Sequence, residues 1–386
     1  MAPPTPTNPF RYGALALDET FTDRNTELRE LEQDIRNGQD VVVFAPRRYG
    51  KTSLVWRAQQ DLLAEGVLIA AVDLMTTPTK EKLAEKLAGA INRDLLSGLE
   101  RARDRAASFF RGLRITPTIT IDPADGTLGF SFAAGHPRAD VDATLEGLLE
   151  LPGQIAAERK RPVALVFDEF QEIVEIDPAL PKLMRSVFQT QPEVAHVYLG
   201  SKRHMLSRIF NDANEPFWRS AKQMELNVIQ PPEFADYIAA RFGATGKSID
   251  AETVAKILAL TGGHPYATQE LCYFTWEETQ PDATAGPDEV ERGLEGVLRS
   301  EHSHFSLLWD NASAGQRLVL ESVAAEPGRP YSAEYRARHG LPPATNVQKA
   351  LNALAKRELV TKDTEGRFVV AEPFFAAWIT RSVVTP

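Results

Sequence analysis

The sequence predicts an α/β protein with a parallel-sheet core, an inserted β-hairpin, a helical lid and a C-terminal winged-helix domain. Three observations support this fold class. Short β-branched apolar runs alternate with helical patterns in the first half of the chain, which is the order of right-handed βαβ units. After Pro232 the pattern becomes mostly helical, and the last segment reads as three helices and a hairpin.

Length and composition favour a folded protein of two or three domains, because 386 residues exceed one ordinary domain. The net charge of −10 disfavours general polyanion binding, so a nucleic-acid site would have to be local. The single cysteine, Cys272, excludes a disulfide framework or a cysteine-rich metal site within one chain. We interpret its thiol as a small core residue.

The start of the chain carries no targeting signal that we recognise. Residues 1–9 are rich in Pro and Thr and lack the basic start and apolar run of a signal peptide. No uninterrupted apolar stretch reaches the length of about 18 residues that a membrane span needs. We therefore expect a flexible N-terminal tail, no membrane association and a cytoplasmic location.

The elements of the predicted sheet follow each other between residues 21 and 226. A loop and a helix are expected over 21–36, where Leu28, Leu31 and Ile35 recur at helical spacing. Buried strands are expected at 39–45, 67–74, 163–167, 196–199 and 223–226. The helices that accompany them are expected at 52–64, 80–96, 140–158 and 180–189.

A β-hairpin signature interrupts this rhythm at residues 114–133. Apolar residues alternate with polar or small ones on both sides of the turn dipeptide formed by Asp125 and Gly126. The alternating apolar positions are Ile115, Ile119, Ile121, Leu128, Phe130 and Phe132. We interpret the hairpin as an insertion over about 97–140; the alternative is two more strands of the core sheet.

The C-terminal part predicts two further modules. Short helices at 234–242, 251–260 and 266–277 would form the lid. Within 346–357, one face is formed by Val347, Ala350, Leu351 and Leu354, and two short strands at 360–362 and 368–370 follow. The predicted division is tail and linker 1–20, core 21–230, lid 231–310 and winged-helix domain 311–386.

The central motif is a phosphate-binding loop that follows a buried strand and opens a helix. Its candidate nucleotide ligands are Pro46, Arg47, Arg48, Tyr49, Gly50, Lys51, Thr52 and Ser53. Gly50 lets the backbone approach the phosphates, and the helix N-terminus presents positive potential to them. Lys51 would reach the β and γ phosphates, and the Thr52 hydroxyl would bind Mg²⁺. Ala45 stands where the pattern expects glycine, which matters because alanine adopts positive φ only at a cost.

A second motif supplies the acidic partner of this loop. The apolar strand over 163–167 ends in Asp168 and Glu169. Asp168 would orient Mg²⁺ and its waters, and Glu169 would polarise the attacking water. Alone, such a strand end could be acidic only for solvation, but together with the phosphate loop it predicts a P-loop NTPase core that binds ATP.

These motifs and their flanks resemble a known family. The residues that carry the resemblance are 8–13 (NPFRYG), 21–28 (FTDRNTEL), 46–54 (PRRYGKTSL), 168–171 (DEFQ), 200–201 (GS) and 262–265 (GGHP). Together they look like the archaeal-type ATPase family, which is similar to the STAND signal-transduction NTPases and the AAA+ replication initiators. The resemblance spans nearly the whole chain.

The resemblance implies roles for residues outside the two motifs. It places Arg24 near the adenine, Ser201 where a sensor-1 residue reads the γ-phosphate, and Pro265 where the lid meets the base. It makes Arg203 or Arg219 a candidate phosphate-sensing arginine, supplied in cis or by a neighbouring copy. The alternatives are a turn residue for Ser201 and surface ion pairs for the arginines, and His264 is equally well a hydrogen-bonded cap.

The predicted winged helix leaves two functions open. Gln348, Asn352 and Lys356 recur at four-residue spacing opposite the apolar face, and such side chains can read duplex DNA. From Asn311 onward there are 10 Lys and Arg against 7 Asp and Glu, a net of about +3, which is a weak electrostatic footprint. The alternative is a regulatory element that packs against the nucleotide domain.

We therefore expect an ATPase that uses ATP and Mg²⁺, turns over slowly and acts as a nucleotide-driven switch. One alternative is an ATP-regulated protein that binds double-stranded DNA through the winged helix. Another is a nucleotide-binding scaffold that does not hydrolyse ATP. A protein partner and a homo-oligomer are compatible with all three.

Overall fold

The computed structural model describes residues 7–13, 24–96, 110, 113–115, 117–121, 128–132, 137–363 and 365–384. The chain divides into two compact units. The α/β unit covers Arg24–Asn227, and the helical unit is formed by Met1–Asp23 together with Val228–Pro386. Each unit has its own cluster of buried apolar side chains, so each has a hydrophobic core of its own.

The α/β unit is built on a parallel sheet. Its strands are β1 (Val41–Phe44), β2 (Leu68–Asp73), β3 (Thr118–Ile121), β4 (Leu128–Ser131), β5 (Val163–Asp168), β6 (Val194–Gly200) and β7 (Lys222–Glu225). Five of them pair in parallel in the order β2-β5-β6-β1-β7. β1 and β6 are buried along their whole length, as expected for strands covered on both faces. The carboxyl ends of β1, β6 and β5 therefore lie side by side at one edge.

Seven helices accompany these strands in the described part of the α/β unit. They are α1 (Asn25–Arg36), α2 (Lys51–Ala64), α3 (Lys80–Ala90), α4 (Arg138–Arg159), α5 (Ile173–Ile176), α6 (Leu180–Phe188) and α7 (Arg203–Asn211). A π-helical turn, Ile91–Leu95, continues α3. The apolar face that predicted α1 is buried at Leu28, Leu31 and Ile35. The helical pattern thus marks the side that packs on the sheet.

The predicted hairpin insertion is confirmed. β3 and β4 pair antiparallel, from Thr118 opposite Ser131 to Ile121 opposite Leu128, in a two-stranded sheet separate from the core sheet. The Phe130 ring lies 5.2 Å from that of Phe110, which attaches the hairpin to the core of the unit. The predicted turn at Asp125 and Gly126 lies outside the described residues.

The helical unit contains two groups of elements. The first group is α8 (Pro231–Gly243), β8 (Ser248–Ile249), α9 (Ala251–Thr261), α10 (Pro265–Glu278), β9 (Thr284–Ala285), α11 (Pro287–Ser300) and α12 (His302–Asp310). The second is α13 (Ala314–Ala325), α14 (Ala333–His339), α15 (Ala344–Lys356), β10 (Val360–Lys362), β11 (Phe368–Val370) and α16 (Pro373–Ile379). No helix in the ranges described above is long and apolar enough to cross a lipid bilayer.

The second group confirms the predicted winged helix. β10 and β11 pair antiparallel, with Val360 opposite Val370. Val347, Leu351 and Leu354 of α15 are buried, which is the face that the sequence predicts. Three helices followed by a two-stranded wing are therefore present in the expected order.

Residues 7–13 pack inside the helical unit. Asn8 Nδ2 donates a hydrogen bond to the Tyr273 carbonyl oxygen at 3.1 Å. The Phe10 side chain is 1% exposed, and its ring lies 5.3 Å from that of Phe242. The Tyr12 ring lies 5.3 Å from that of Tyr273. The Pro- and Thr-rich composition of the start of the chain does not predict this packing.

Candidate nucleotide-binding site

The phosphate loop joins β1 to α2 at the carboxyl edge of the sheet. Gly50 precedes α2 with a φ of 83°, a left-handed conformation that glycine adopts at little cost. Arg48 is also left-handed, with a φ of 65°. The left-handed positions of the loop thus fall at Arg48 and Gly50 rather than at Ala45. The alanine that replaces the expected glycine is therefore compatible with this loop conformation.

The side chain of Lys51 is folded over the loop. It is 6% exposed, and its Nζ donates hydrogen bonds to the carbonyl oxygens of Ala45 at 2.9 Å and Pro46 at 3.0 Å. Pro46, Arg47 and Arg48 are exposed, whereas Tyr49 is half-buried and Ser53 is buried. The ammonium group and the N-terminus of α2 form a positive concavity of the kind that binds phosphate.

A hydrogen bond joins the two motifs that the sequence predicts. Thr52 Oγ1 donates to Asp168 Oδ2 at 3.1 Å, although the two residues are 116 positions apart. The Glu169 backbone N–H donates to Asp168 Oδ1 at 2.9 Å. A hydroxyl and a carboxylate are hard oxygen ligands, the type that Mg²⁺ prefers, so the donor set fits this ion. Thr52 and Asp168 would hold it together with phosphate oxygens and water.

Asp168 is in a partly dehydrated environment. Burial raises the pKa of its carboxyl group above the ordinary value, and the nearby charge of Glu169 acts in the same direction. Hydrogen bonds from the Glu169 N–H and the Thr52 hydroxyl, and the charge of Lys51, lower that pKa and partly offset the effect. A carboxylate that is costly to keep charged is one that gains from a cation.

Glu169 is held beside this pair by two side chains. Its backbone is left-handed, with a φ of 53°. Its Oε2 accepts a hydrogen bond from Ser201 Oγ at 2.9 Å and another from Gln171 Nε2. Ser201 follows β6, which lies between β1 and β5 in the sheet. The strand order thus brings Ser201 to the acidic motif.

Gln171 is the site residue that sequence reasoning overlooked. It belongs to the family resemblance, but no role follows from that. A glutamine two positions after Glu169, next to the apolar residue Phe170, is the local signal that could have identified it. Its side chain is 0% exposed.

Arg24 is buried between three partners of the α/β unit. Its side chain is 4% exposed and donates to the carbonyl oxygens of Tyr49 at 3.1 Å and Asn227 at 2.8 Å, and to Glu27 Oε1 at 3.1 Å. The contact with Tyr49 fixes Arg24 to the phosphate loop. Its predicted place near the adenine stays a prediction, and Phe21 to Asp23 of the same motif lie outside the described residues.

Pro265 and His264 lie in the helical unit. Pro265 is the first residue of α10. His264 Nδ1 accepts a hydrogen bond from the Ala267 N–H at 3.3 Å, so this histidine caps α10, as the alternative interpretation holds. The role of Pro265 at the adenine stays a prediction.

The two candidate sensing arginines have protein partners at the surface of the α/β unit. Arg203 forms an ion pair with Glu225, with Nη2 at 3.1 Å from Oε2. Arg219 has a left-handed backbone with a φ of 53°, and its guanidinium lies 5.8 Å from the centre of the Trp218 ring. These contacts agree with the alternative of ordinary surface interactions, and a sensing role stays a prediction.

Two protein families match the chain. A family described as an ATPase domain predominantly from Archaea matches residues 21–271, which is more than half of the sequence. The chain belongs to this ATPase family. A family described as a probable winged helix domain matches residues 303–381. The search of curated proteins gave no match.

Solved structures share the fold of this ATPase-family chain. The Walker-type ATPase PABY2304 of Pyrococcus abyssi is 16% identical, with a TM-score of 0.66 over 96% of this chain and 99% of that one. The ORC2 protein of Aeropyrum pernix, solved in ADPNP and ADP complexes, is 14% identical, with a TM-score of 0.55 over 96% of both chains. The likeness extends over both units and supports a P-loop ATPase core with a C-terminal winged helix.

Proposed function

We propose that this member of the ATPase family binds ATP with Mg²⁺ and hydrolyses it slowly to ADP and phosphate. The observation that carries the proposal is the hydrogen bond between Thr52 and Asp168, with Glu169 beside it. It joins the phosphate loop to an acidic pair, which is the set of groups that phosphoryl transfer to water needs.

Each group has a distinct role in the proposed reaction. Lys51, Gly50 and the N-terminus of α2 bind the phosphates and stabilise the charge that develops on them. Thr52 and Asp168 hold Mg²⁺, which neutralises phosphate charge when bound. Glu169 orients a water whose oxygen forms the new bond to the γ-phosphorus as the bond to the β-phosphate bridging oxygen breaks. The water protons end on the released phosphate and in solvent. Ser201 supports Glu169 through their hydrogen bond.

We propose further that the cycle acts as a conformational switch. The chain passes from the helical unit to the α/β unit after Asp23 and returns after Asn227. Arg24 and Asn227 are therefore the first and last residues of the α/β unit. Arg24 and Asn227 stand at these connections and are hydrogen-bonded to each other, and Arg24 also contacts the phosphate loop. A change in the loop on nucleotide binding would reach both connections through Arg24. The lid over 231–310, in which Pro265 would contact the adenine base, is the module that would move in response to the nucleotide.

The test is steady-state phosphate release with Mg²⁺-ATP. Glu169→Gln should keep ATP binding and lose at least about 100-fold in turnover, the contribution of a positioned general base. Glu175→Gln is the matched control, because Glu175 is an exposed glutamate in the same region. Lys51→Ala should lose ATP binding itself. Turnover of the unaltered protein that equals that of Glu169→Gln, with ATP still bound, would instead support the non-hydrolysing scaffold.

Protein concentration tests for a partner copy. If Arg203 or Arg219 is supplied by a neighbouring copy in a homo-oligomer, turnover per chain should rise with concentration and fall in the alanine variant of that arginine. Constant turnover per chain would support a monomer that acts on a protein partner of another kind.

A second candidate is ATP-regulated binding of double-stranded DNA. Gln348, Asn352 and Lys356 of α15 are exposed, as recognition-helix residues must be. Gln348 Nε2 donates to Asn352 Oδ1 at 2.9 Å, a contact that base readout would have to replace. Arg338 and Arg367 of the winged helix form ion pairs with acidic neighbours, and these pairs weaken the positive field of the domain. We therefore place this function second.

A duplex DNA titration at two salt concentrations tests this candidate. Binding that weakens steeply with salt and is lost in Lys356→Ala would support it. Lys182→Ala is the control, because Lys182 is an exposed lysine of the α/β unit. If both variants and the unaltered protein bind DNA with equal affinity, the winged helix is not the element that recognises DNA.

A further inference from the structure

Gln171 is a buried polar residue whose side chain is only partly hydrogen-bonded. It is 0% exposed, and its Oε1 finds no hydrogen-bond partner among the described residues. A buried polar atom without a partner destabilises the folded state, so packing alone does not account for an amide at this position. A residue that breaks this rule beside a candidate catalytic group indicates a functional requirement.

The orientation of the Gln171 amide is determined by its neighbours. Nε2 donates to Glu169 Oε2 and lies 3.4 Å from Glu172 Oε1, so the NH₂ group faces two carboxylates. The reverse orientation would place Oε1 against the same negative charges. Glu172 is held in turn by Lys202, whose Nζ lies 2.8 Å from Oε1. A chain of contacts therefore runs from Lys202 through Glu172 and Gln171 to Glu169.

The backbone beneath this amide is anchored by the packing of Phe170. Glu169 is left-handed and precedes a 3-10 turn, Phe170–Glu172. The Phe170 side chain is 0% exposed and lies in an aromatic cluster, with its ring 4.5 Å from that of Tyr198 and 5.5 Å from that of Phe217. A residue packed in this way has little room to change its position. Gln171 is therefore a fixed support for the Glu169 carboxylate.

Gly200 leaves the space that Gln171 needs. A Cβ atom at position 200 would overlap with Oε1 of Gln171 and lie 2.5 Å from Cδ1 of Leu206. Gly200 does not have positive φ, so its conformation does not demand glycine. The requirement is the close approach of the Gln171 amide and the Leu206 side chain to the end of β6.

We propose that Gln171 is the positioning residue for Glu169. Its amide and the Ser201 hydroxyl both bind Oε2, which orients the carboxylate so that Oε1 faces the attacking water. This inference rests on the proposed hydrolysis of ATP. Loss of the amide should lower the rate of hydrolysis without weakening nucleotide binding, because Gln171 acts through Glu169 and not on the phosphates.

The first test replaces Gln171 by leucine, which has a similar volume and no amide. Gln171→Leu should lower kcat by about 10- to 100-fold, the cost of misplacing a reacting group, with the Kd for ATP unchanged. Its Tm should stay close to that of the unaltered protein, because the variant loses the unpartnered Oε1 but also the Nε2 donor that faces Glu169 and Glu172. Gln191→Leu is the matched control. Gln191 is a 6% exposed glutamine of the same unit that donates to the Leu149 carbonyl oxygen at 3.0 Å.

A double-mutant cycle separates positioning from a structural effect. If Gln171 acts only through Glu169, adding Gln171→Leu to Glu169→Gln should not lower the residual turnover further. Gly200→Ala should also lower kcat, whereas Gly89→Ala, whose Cβ would meet open space, should not. Normal kcat in Gln171→Leu, or an equal loss in both backgrounds, would overturn the positioning role while hydrolysis by Glu169 stands. An unaltered protein no faster than Glu169→Gln would overturn both proposals.

Discussion

At the scale of single residues, the charge of the partly buried Asp168 carboxylate opposes folding. The raised pKa of Asp168 means that its charged form is less favourable in the folded protein than in the unfolded chain. Below the unfolded pKa of about 3.9 the group is neutral in both states and costs nothing. As the pH rises through the folded pKa, the charged carboxylate destabilises the fold. The cost is therefore present at neutral pH and absent in acid.

Replacing Asp168 by asparagine should remove this cost. In the absence of nucleotide, Asp168→Asn should raise the Tm at pH 8, and the difference should disappear at about pH 4. The Thr52 hydroxyl can reverse its role and accept from the new amide, so the contact need not be lost. Mg²⁺-ATP should stabilise the unaltered protein more than the variant. Thermal unfolding across this pH range is the measurement, and a variant with a lower Tm than the unaltered protein at pH 8 contradicts the argument.

At the scale of elements, hydrogen bonds of Arg24 connect the start of α1 to the phosphate loop and to the segment after β7. Arg24 precedes α1 and reaches the carbonyl oxygens of Tyr49, in the phosphate loop, and Asn227, beyond β7. A guanidinium group can serve several acceptors in one plane, whereas an ammonium group is a point charge. The start of α1 is therefore attached to two elements that are distant in sequence.

Substitution of Arg24 should loosen this junction. Arg24→Ala should lower the free energy of unfolding of the α/β unit by about 2 to 4 kcal/mol, because the packing of a buried side chain is lost and two part-buried carbonyl groups lose a charged donor. Arg24→Lys should recover only part of that loss. Arg29→Ala, at an exposed arginine of α1 that contacts its own helix, is the control. Chemical denaturation gives these energies, and equal losses for Arg24→Ala and Arg29→Ala would disprove the role of the junction.

At the scale of the whole molecule, the chain has two hydrophobic cores, as expected for a chain longer than one ordinary domain. The core of the helical unit includes Phe10, from the start of the sequence, together with side chains from α8 to α16. The core of the α/β unit includes Phe110 and the apolar residues of its sheet. A residue in one core should therefore stabilise mainly its own unit.

Two phenylalanine variants test this independence. Phe10→Ala and Phe110→Ala each remove a ring that is 1% exposed, which should cost about 3 to 5 kcal/mol in the unit concerned. Amide hydrogen exchange should rise in α8 and α10 for Phe10→Ala and in β3 and β4 for Phe110→Ala. Exchange that rises equally in both units for both variants would indicate one cooperative unit instead.

Much of the architecture was predictable because it depends on local sequence patterns. Short β-branched runs report strands buried on both faces, and helical spacing of apolar residues reports faces such as Val347, Leu351 and Leu354. The turn chemistry and alternation of the hairpin are equally local. The phosphate loop and the acidic strand end could be identified because glycine, lysine, threonine and carboxylates are needed there at fixed spacing.

The contacts between these motifs were decided by the tertiary structure. The order β2-β5-β6-β1-β7 places Ser201 and Gln171 on one carboxylate, and no local pattern encodes which strands become neighbours. The packing of Phe10 and the partners of Arg24 likewise depend on chain segments more than 200 positions away for the longest contacts. The sequence by itself determined which elements form and which chemistry they carry, because both depend on neighbouring residues. Packing alone determined how the side chains meet, because such contacts require the complete fold.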